Sequence, residues 1–124
     1  MYVSEKKILY IEDNEQNLYL VTFLLTKHGY EVLSAQDGQT GIEEAANTKP
    51  DLILLDIQLP FMDGYAVART LRSNRDLAQV PIVAVTSYAM VGDREKALES
   101  GCTGYIEKPI DPDTFVAQVE RYLS

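Results

Sequence analysis

The segment that is most informative about the fold is Asp51-Leu52-Ile53-Leu54-Leu55-Asp56-Ile57-Gln58-Leu59-Pro60. Residues 52–55 form a continuous aliphatic run, which is typical of a parallel β-strand that is buried on both faces of its sheet. The run ends in an aspartate. Because ligand chemistry collects at the carboxyl ends of strands in an open α/β sheet, this stretch predicts a central strand that presents Asp56 at a binding edge.

The same pattern recurs along the chain. Apolar runs at 8–11, 82–85 and 105–106 are closely followed by Glu12-Asp13, Thr86 and Lys108-Pro109, and residues 31–35 form a weaker strand pattern. Between the predicted strands, apolar residues recur at the spacing of an α-helix. Strict βα alternation predicts an α/β fold of the doubly wound, flavodoxin-like (βα)5 type, with a five-stranded parallel sheet in the order 2-1-3-4-5.

The helices are predicted from apolar spacing and from residues that start or stop a helix. We expect helices over 14–28, 38–48 and 90–100, and a further helix that carries Val67 and Leu71. Ala46 should lie on the buried face of the second helix, and Leu98 on that of the fourth. The fourth helix has few apolar anchors besides Met90 and contains Gly92, so it should be loosely held. The last helix should be capped by Asp111, with Pro112 as its first residue.

Composition limits the possible functions. The 124 residues predict one domain spanning 1–124. The formal net charge of -8 disfavours binding to nucleic acid and to an anionic membrane surface. The single Cys102 excludes an internal disulfide and is typical of a reducing cytoplasm. No apolar run approaches the roughly 18 residues of a membrane span, so the sequence predicts a cytoplasmic protein.

The strand-end residues predict chemistry on phosphorus. Strands 1 and 3 flank the switch point of the sheet, so Glu12, Asp13 and Asp56 should meet there. Asp13 and Asp56 suit direct Mg²⁺ ligands, with Glu12 acting through a water. Asp56 can also attack phosphorus as a carboxylate nucleophile, and Lys108 can supply a positive charge to the phosphate.

Each residue also has an ordinary structural explanation. An aspartate at a strand end more often caps a helix or forms a turn, and an acid pair often begins a helix, where its charge suits the helix dipole. The joint pattern favours the functional interpretation, because compatible groups follow successive core strands. Thr86 could donate its hydroxyl to a bound phosphate after moving inward.

On these residues the chain resembles the receiver domain of two-component response regulators, over essentially all 124 positions. The motifs are I-E-D-N at 11–14, D-L-I-L-L-D-I-Q-L-P at 51–60, M-D-G at 62–64, V-A-V-T-S at 83–87 and Y-I-E-K-P-I at 105–110. The resemblance is strongest to single-domain regulators similar to DivK and to receivers of hybrid kinases. It implies a CheY-like fold.

The resemblance also implies roles for individual residues. Asp56 is the phosphoacceptor, and Mg²⁺ binds Glu12, Asp13, Asp56 and the backbone carbonyl of Gln58. Lys108 binds the phosphate, and the switch pair is Thr86, the hydroxyl switch, and Tyr105, the aromatic switch. A cis peptide is implied at Lys108-Pro109. Neighbouring Gln58 and Tyr88 are expected to shape water access to the phosphate.

The implied partners are a histidine kinase or histidine phosphotransferase, and a downstream effector protein that reads the face formed by the fourth helix, fifth strand and last helix. A phosphatase of the haloacid dehalogenase type would need an acid where Gln58 stands. A flavin-binding protein would need a hydroxyl- and glycine-rich loop instead of Glu12-Asp13-Asn14. We therefore expect a signalling switch rather than an enzyme, with weak self-phosphorylation and autodephosphorylation. Alternatively, the chain is the receiver part of a larger response regulator or hybrid histidine kinase.

Overall fold

The fold is given by a computed structural model that describes residues 6–87 and 92–123. In this part of the chain five strands alternate with five α-helices, and a short 3-10 helix, Arg75–Leu77, precedes the fourth strand. The strands are β1 (Lys7–Ile11), β2 (Glu31–Ala35), β3 (Leu52–Asp56), β4 (Ile82–Thr86) and β5 (Gly104–Glu107). The helices are α1 (Glu15–Lys27), α2 (Gly38–Thr48), α3 (Gly64–Ser73), α4 (Asp93–Glu99) and α5 (Phe115–Glu120).

The strands form one parallel sheet in the order β2-β1-β3-β4-β5, which confirms the predicted topology. The register aligns the carboxyl ends of the strands. Ile11 lies beside Leu55, Asp56 beside Val85, and Thr86 beside Glu107. The residues that follow β1, β3, β4 and β5 therefore converge at one edge of the sheet.

Helices cover both faces of the sheet, so its central strands are buried throughout. On one face, Leu9, Ile11 and Leu55 pack with α2, α3 and α4. On the other face, Tyr10 and Leu54 pack with α1 and α5. Burial on both faces explains why the sequence of β3 is an uninterrupted apolar run.

Among the described residues, none of the helices combines the length and the apolar character that a membrane span requires.

Two helix faces differ from expectation. In α2 the buried positions are Gly38, Gly41 and Ala45, whereas Ala46 is exposed, because it lies one residue further around the helix. The absence of a Cβ at Gly41 lets α2 approach the side chain of Ile11 closely. In α4, Ala97 is buried but Leu98 is 45% exposed.

The starts of α4 and α5 also differ. Gly92, with a φ of 99°, precedes α4 as its N-cap instead of lying inside it. Met90 and Tyr88 lie outside the described residues. Regular helix α5 begins at Phe115, because Asp111 to Thr114 form a turn. Asp111 still organises this turn, since its backbone carbonyl accepts from Phe115 N at 2.9 Å and its carboxylate from Asp113 N at 2.9 Å.

Candidate functional site

The acids predicted at the ends of β1 and β3 do meet. Glu12, Asp13 and Asp56 each offer a carboxylate oxygen, and these oxygens all lie within 4.8 Å of one another. Glu12 and Asp56 are buried, with 1% and 2% of their surfaces exposed, whereas Asp13 is exposed. The cluster therefore combines two desolvated carboxylates with one that faces solvent.

Backbone contacts at the strand ends set these positions. Ile57 N donates to Val85 O at 3.3 Å, and Gly64 N donates to Ile57 O at 3.2 Å. A Cβ at Gly64 would lie 2.5 Å from the Cα of Ile57, so only glycine lets α3 begin this close to the end of β3. Gln58 N donates to Asp56 Oδ1 at 3.0 Å and orients that carboxylate.

Lys108 enters the cluster from the end of β5. Its backbone N donates to Thr86 O at 2.8 Å, and its peptide bond to Pro109 is cis, as the resemblance implied. Its Nζ lies 2.8 Å from Glu12 Oε1 and 3.5 Å from Asp56 Oδ2. The lysine thus contacts both buried carboxylates, and it lies closer to Glu12.

Glu12 has further hydrogen-bond donors. Tyr10 Oη donates to Glu12 Oε1 at 2.6 Å, and Asn17 Nδ2 donates to the same oxygen at 3.5 Å. Asn14 N donates to Glu12 Oε2 at 3.3 Å, and the Asn14 side chain caps α1. Burial of the Glu12 carboxylate is compatible with this set of donors, because a buried charge is costly unless it is paired.

The two buried carboxylates have opposite pKa shifts. Burial, followed by hydrogen bonding to Glu12, raises the pKa of Asp56 to about 7. Burial also acts to raise the pKa of Glu12, but hydrogen bonds with Asp56, Lys108 and Tyr10 outweigh it and lower that pKa. Burial raises the pKa of Tyr10, so its hydroxyl stays a donor. Without a cation, a proton in this cluster therefore favours Asp56 over Glu12.

The donor set fits a divalent cation. Hard carboxylate oxygens are the ligands that Mg²⁺ prefers, and it often keeps several waters besides one or two carboxylates. Three acids cluster here and Lys108 contacts two of them, so a divalent charge would relieve their mutual repulsion. Gln58, whose backbone carbonyl is the further predicted ligand, lies two residues after Asp56 in the loop that follows β3.

The predicted switch residues lie on β4 and β5, on the side of Asp56 away from β1. Thr86 ends β4 and is buried, one residue beyond the position that pairs with Asp56. Tyr105 is half-buried on β5 and packs against the core cluster beneath α3 and α4. Thr86 therefore ends the strand before α4, and Tyr105 lies on the strand after it.

Sequence reasoning did not single out Tyr10 as a site residue. Tyr10 belongs to the apolar run of β1, and its contact with Glu12 emerges only in three dimensions. One signal could have found it: side chains two residues apart in a strand share a face, so the phenol points toward the same side as Glu12.

Comparison with known proteins gives a consistent result. A family model described as "Response regulator receiver domain" matches residues 8–120. The polar-differentiation response regulator DivK of Brucella anthropi is 39% identical over 118 residues, which cover 95% of this chain and 96% of DivK.

Solved structures are similar as well. The receiver domain of the Pseudomonas aeruginosa sensor histidine kinase PA1611, which has a magnesium ion coordinated in its active-site cleft, matches with a TM-score of 0.88 and 33% identity, covering 97% of this chain and 98% of that one. The Vibrio cholerae chemotaxis protein CheY4 matches with a TM-score of 0.92 and 27% identity, covering 97% of this chain and 100% of CheY4.

Proposed function

The chain belongs to the response regulator receiver domain family and is a phosphoacceptor signalling switch of that family, and we propose that Asp56 is its phosphoacceptor. The observation that carries the assignment is the convergence on Asp56 of Lys108 and two further acids. Asp56 ends the central strand, buried but at the edge where the other site residues meet.

The reaction is a transfer of a phosphoryl group between two proteins. A carboxylate oxygen of Asp56 attacks phosphorus, the phosphorus–nitrogen bond of a phosphohistidine breaks, and the imidazole keeps the electron pair. Asp56 must be ionised to attack. Lys108 favours the ionised form and can then follow the charge onto the phosphoryl oxygens.

Mg²⁺ is the proposed cofactor. Asp13, Asp56 and the backbone carbonyl of Gln58 would hold it directly, and Glu12 through a water. When bound, the ion neutralises charge on the transferring oxygens. The acidic cluster of this chain and the magnesium in the PA1611 receiver domain support this proposal.

The partners follow from the chemistry of the site. We propose that a histidine kinase or histidine phosphotransferase donates the phosphoryl group, and that a downstream effector protein reads the surface made by α4, β5 and α5. The family is one of signalling domains, so the activity of the isolated chain should be limited to weak self-phosphorylation from small donors and autodephosphorylation. A cytoplasmic location is part of the proposal.

The alternative is that the chain is a receiver unit within a larger response regulator or hybrid histidine kinase. The receiver of PA1611 belongs to a sensor histidine kinase, which makes this arrangement reasonable for a chain 33% identical to it. The chemistry at Asp56 would be the same in either case.

Incubation with acetyl phosphate tests the phosphoacceptor. We expect the parent to gain a phosphoryl group in Mg²⁺ but not in EDTA, and Asp56→Asn to gain none, as measured by mass spectrometry of the intact protein. The control is Asp51→Asn, since Asp51 immediately precedes β3 at the opposite edge, where it accepts from Lys7 N at 2.8 Å. Labelling of Asp56→Asn at the rate of the parent, or undiminished labelling in EDTA, would refute the assignment.

A further inference from the structure

Tyr10 contributes a hydroxyl from inside the core to the edge of the phosphoacceptor site. Its side chain is fully buried among the residues that pack α1 and α5 onto the sheet. Its Oη nevertheless reaches Glu12 Oε1 at 2.6 Å, a short bond of the charge-assisted kind. Among the described residues the phenol hydrogen-bonds to Glu12 and not to Asp56 or Lys108, so its effect passes through Glu12.

Glu12 Oε1 is where Tyr10 and Lys108 meet. Lys108 Nζ lies 2.8 Å from the oxygen that also accepts from Tyr10, and the Asn17 amide is more distant at 3.5 Å. Two short donors therefore share one oxygen of a carboxylate with 1% exposure. A buried charge is strongly destabilised when its partner leaves and nothing replaces it, so Lys108 could not readily leave Glu12 if it were the only group bound to that carboxylate.

We propose that Tyr10 is a positioning residue that holds Glu12 while Lys108 shifts from Glu12 to the phosphoryl group on Asp56. The inference rests on the proposed function, because it assumes that Asp56 is the phosphoacceptor. Lys108 already lies 3.5 Å from Asp56, so its ammonium needs only a small movement. Tyr10 keeps its proton and makes no bond to phosphorus.

The ordinary alternative is that Glu12 merely satisfies a buried tyrosine hydroxyl. In that case, removing the hydroxyl would change stability alone. The two explanations differ in what happens when beryllofluoride, a stand-in for the phosphoryl group, binds in the presence of Mg²⁺. Beryllofluoride needs the ammonium of Lys108, whereas Mg²⁺ on its own depends mainly on Asp13 and Asp56.

The test compares Tyr10→Phe with the parent by isothermal titration. We expect affinity for beryllofluoride, at saturating Mg²⁺, to fall about tenfold, the equivalent of one charge-assisted hydrogen bond. Affinity for Mg²⁺ alone should stay close to that of the parent. The matched control is Tyr30→Phe, because Tyr30 Oη makes the same 2.6 Å bond to a glutamate, Glu120, far from the site. This control should bind both ligands as the parent does.

A double-mutant cycle with Glu12→Gln completes the test. A neutral amide holds the Lys108 ammonium much more weakly than a carboxylate does, so in the Glu12→Gln background Tyr10→Phe should leave beryllofluoride affinity nearly unchanged. The inference is overturned if Tyr10→Phe binds beryllofluoride like the parent, if its loss persists in the Glu12→Gln background, or if Mg²⁺ affinity falls by the same factor. An equal loss in Tyr30→Phe would also overturn it. Failure of the parent to bind beryllofluoride with Mg²⁺ would instead refute the proposed function, and this inference with it.

Discussion

At the scale of single residues, the site is organised by one lysine that serves two carboxylates. Lys108 Nζ lies closer to Glu12 than to Asp56, at 2.8 Å against 3.5 Å. Glu12 therefore keeps its negative charge, while burial and the neighbouring Glu12 carboxylate favour a proton on Asp56. The metal-free site thus holds its nucleophile partly neutral, and a cation is needed to ionise it fully at neutral pH.

We expect Asp56→Asn to stabilise the protein in EDTA at pH 8. The pKa of Asp56 is raised from 3.8 to about 7 in the folded state. Between these values the folded protein binds more protons than the unfolded chain, so the free energy of unfolding falls as pH rises. A neutral amide avoids that loss, and the gain should be about 1–3 kcal/mol at pH 8 and vanish near pH 4. Urea unfolding at both pH values measures it.

Two comparisons sharpen this prediction. Asp51→Asn, at the opposite edge of the sheet, should not be stabilised at pH 8. Adding Mg²⁺ should reduce or reverse the advantage of Asp56→Asn, because an ion that binds the folded parent stabilises it by mass action. If Asp56→Asn were no more stable than the parent at pH 8 in EDTA, the raised pKa would be wrong.

The identities of the site residues could be predicted from sequence, but their pairing could not. Asp56, Glu12, Asp13 and Lys108 follow strand ends, and parallel topology brings strand ends together. Whether Lys108 lies nearer Glu12 or Asp56 depends on differences below 1 Å, which no residue pattern encodes. The hydrogen bond from Tyr10 to Glu12 depends on atomic positions at the same sub-ångström level.

At the scale of elements, the helices whose start and end are marked by capping or helix-breaking residues were predicted best. Asn14 caps α1 and Lys49 closes α2 just before Pro50, so these boundaries lie where the sequence indicated. The prediction was wrong for Leu98 and Ala46, since short helices with few large apolar residues leave the orientation of the buried face open. It placed the start of α5 too early, because Asp111 and Pro112 suit a turn as well as a helix cap.

The Arg72 side chain stabilises the loops before β4 and after α4, at the edge of the sheet opposite the site. From α3, its guanidinium donates to the backbone carbonyls of Gly101, Leu77, Ala78 and Val80 over 2.8–3.0 Å. We expect Arg72→Met to lower the free energy of unfolding by about 2–4 kcal/mol, since it leaves several partly buried carbonyls without this donor. Urea unfolding measures the loss. Arg72→Lys should recover part of it, because an ammonium cannot reproduce the planar fork.

The control for Arg72 is Arg75→Met, three residues further along in the 3-10 helix. Arg75 is exposed, so this change should shift the free energy of unfolding by no more than about 0.5 kcal/mol. Equal effects of Arg72→Met and Arg75→Met would show that the carbonyl contacts do not stabilise the fold.

At the scale of the whole molecule, negative charge gathers at the edge that carries the site. Besides the three clustered acids, the end of β5 carries Glu107, and the segments that follow the strands carry Glu15, Asp37, Asp63, Asp111 and Asp113. Together with the net charge of -8, this distribution favours cation binding that weakens with salt. It also opposes contact with nucleic acid phosphates, and the absence of DNA binding stays a prediction.

Phosphorylation at one edge must alter a surface that a partner can read, and α4 is the element best placed to move. Over Asp93–Glu99 its buried side chain is Ala97, and polar contacts link it to α3: Lys96 Nζ lies 4.6 Å from the ring centre of Tyr65, and Arg69 Nη1 lies 3.4 Å from Ser100 Oγ. Thr86 and Tyr105 lie on the strands before and after α4. If a phosphoryl group draws Thr86 inward, Tyr105 can repack into the space that Thr86 leaves.

Amide NMR spectra with and without beryllofluoride test this coupling in the presence of Mg²⁺. We expect the parent to show shifts around Asp13 and Asp56, at Tyr105 and across residues 92–100. Thr86→Ala should keep the shifts around Asp13 and Asp56 and lose the other two sets, because it lacks the hydroxyl that we expect to bind the phosphoryl oxygen. Thr86→Ser should keep all three sets. Shifts confined to the neighbourhood of Asp13 and Asp56 in the parent would contradict signalling through α4, β5 and α5. An intact α4 response in Thr86→Ala would show that the signal reaches this surface by a route that bypasses Thr86.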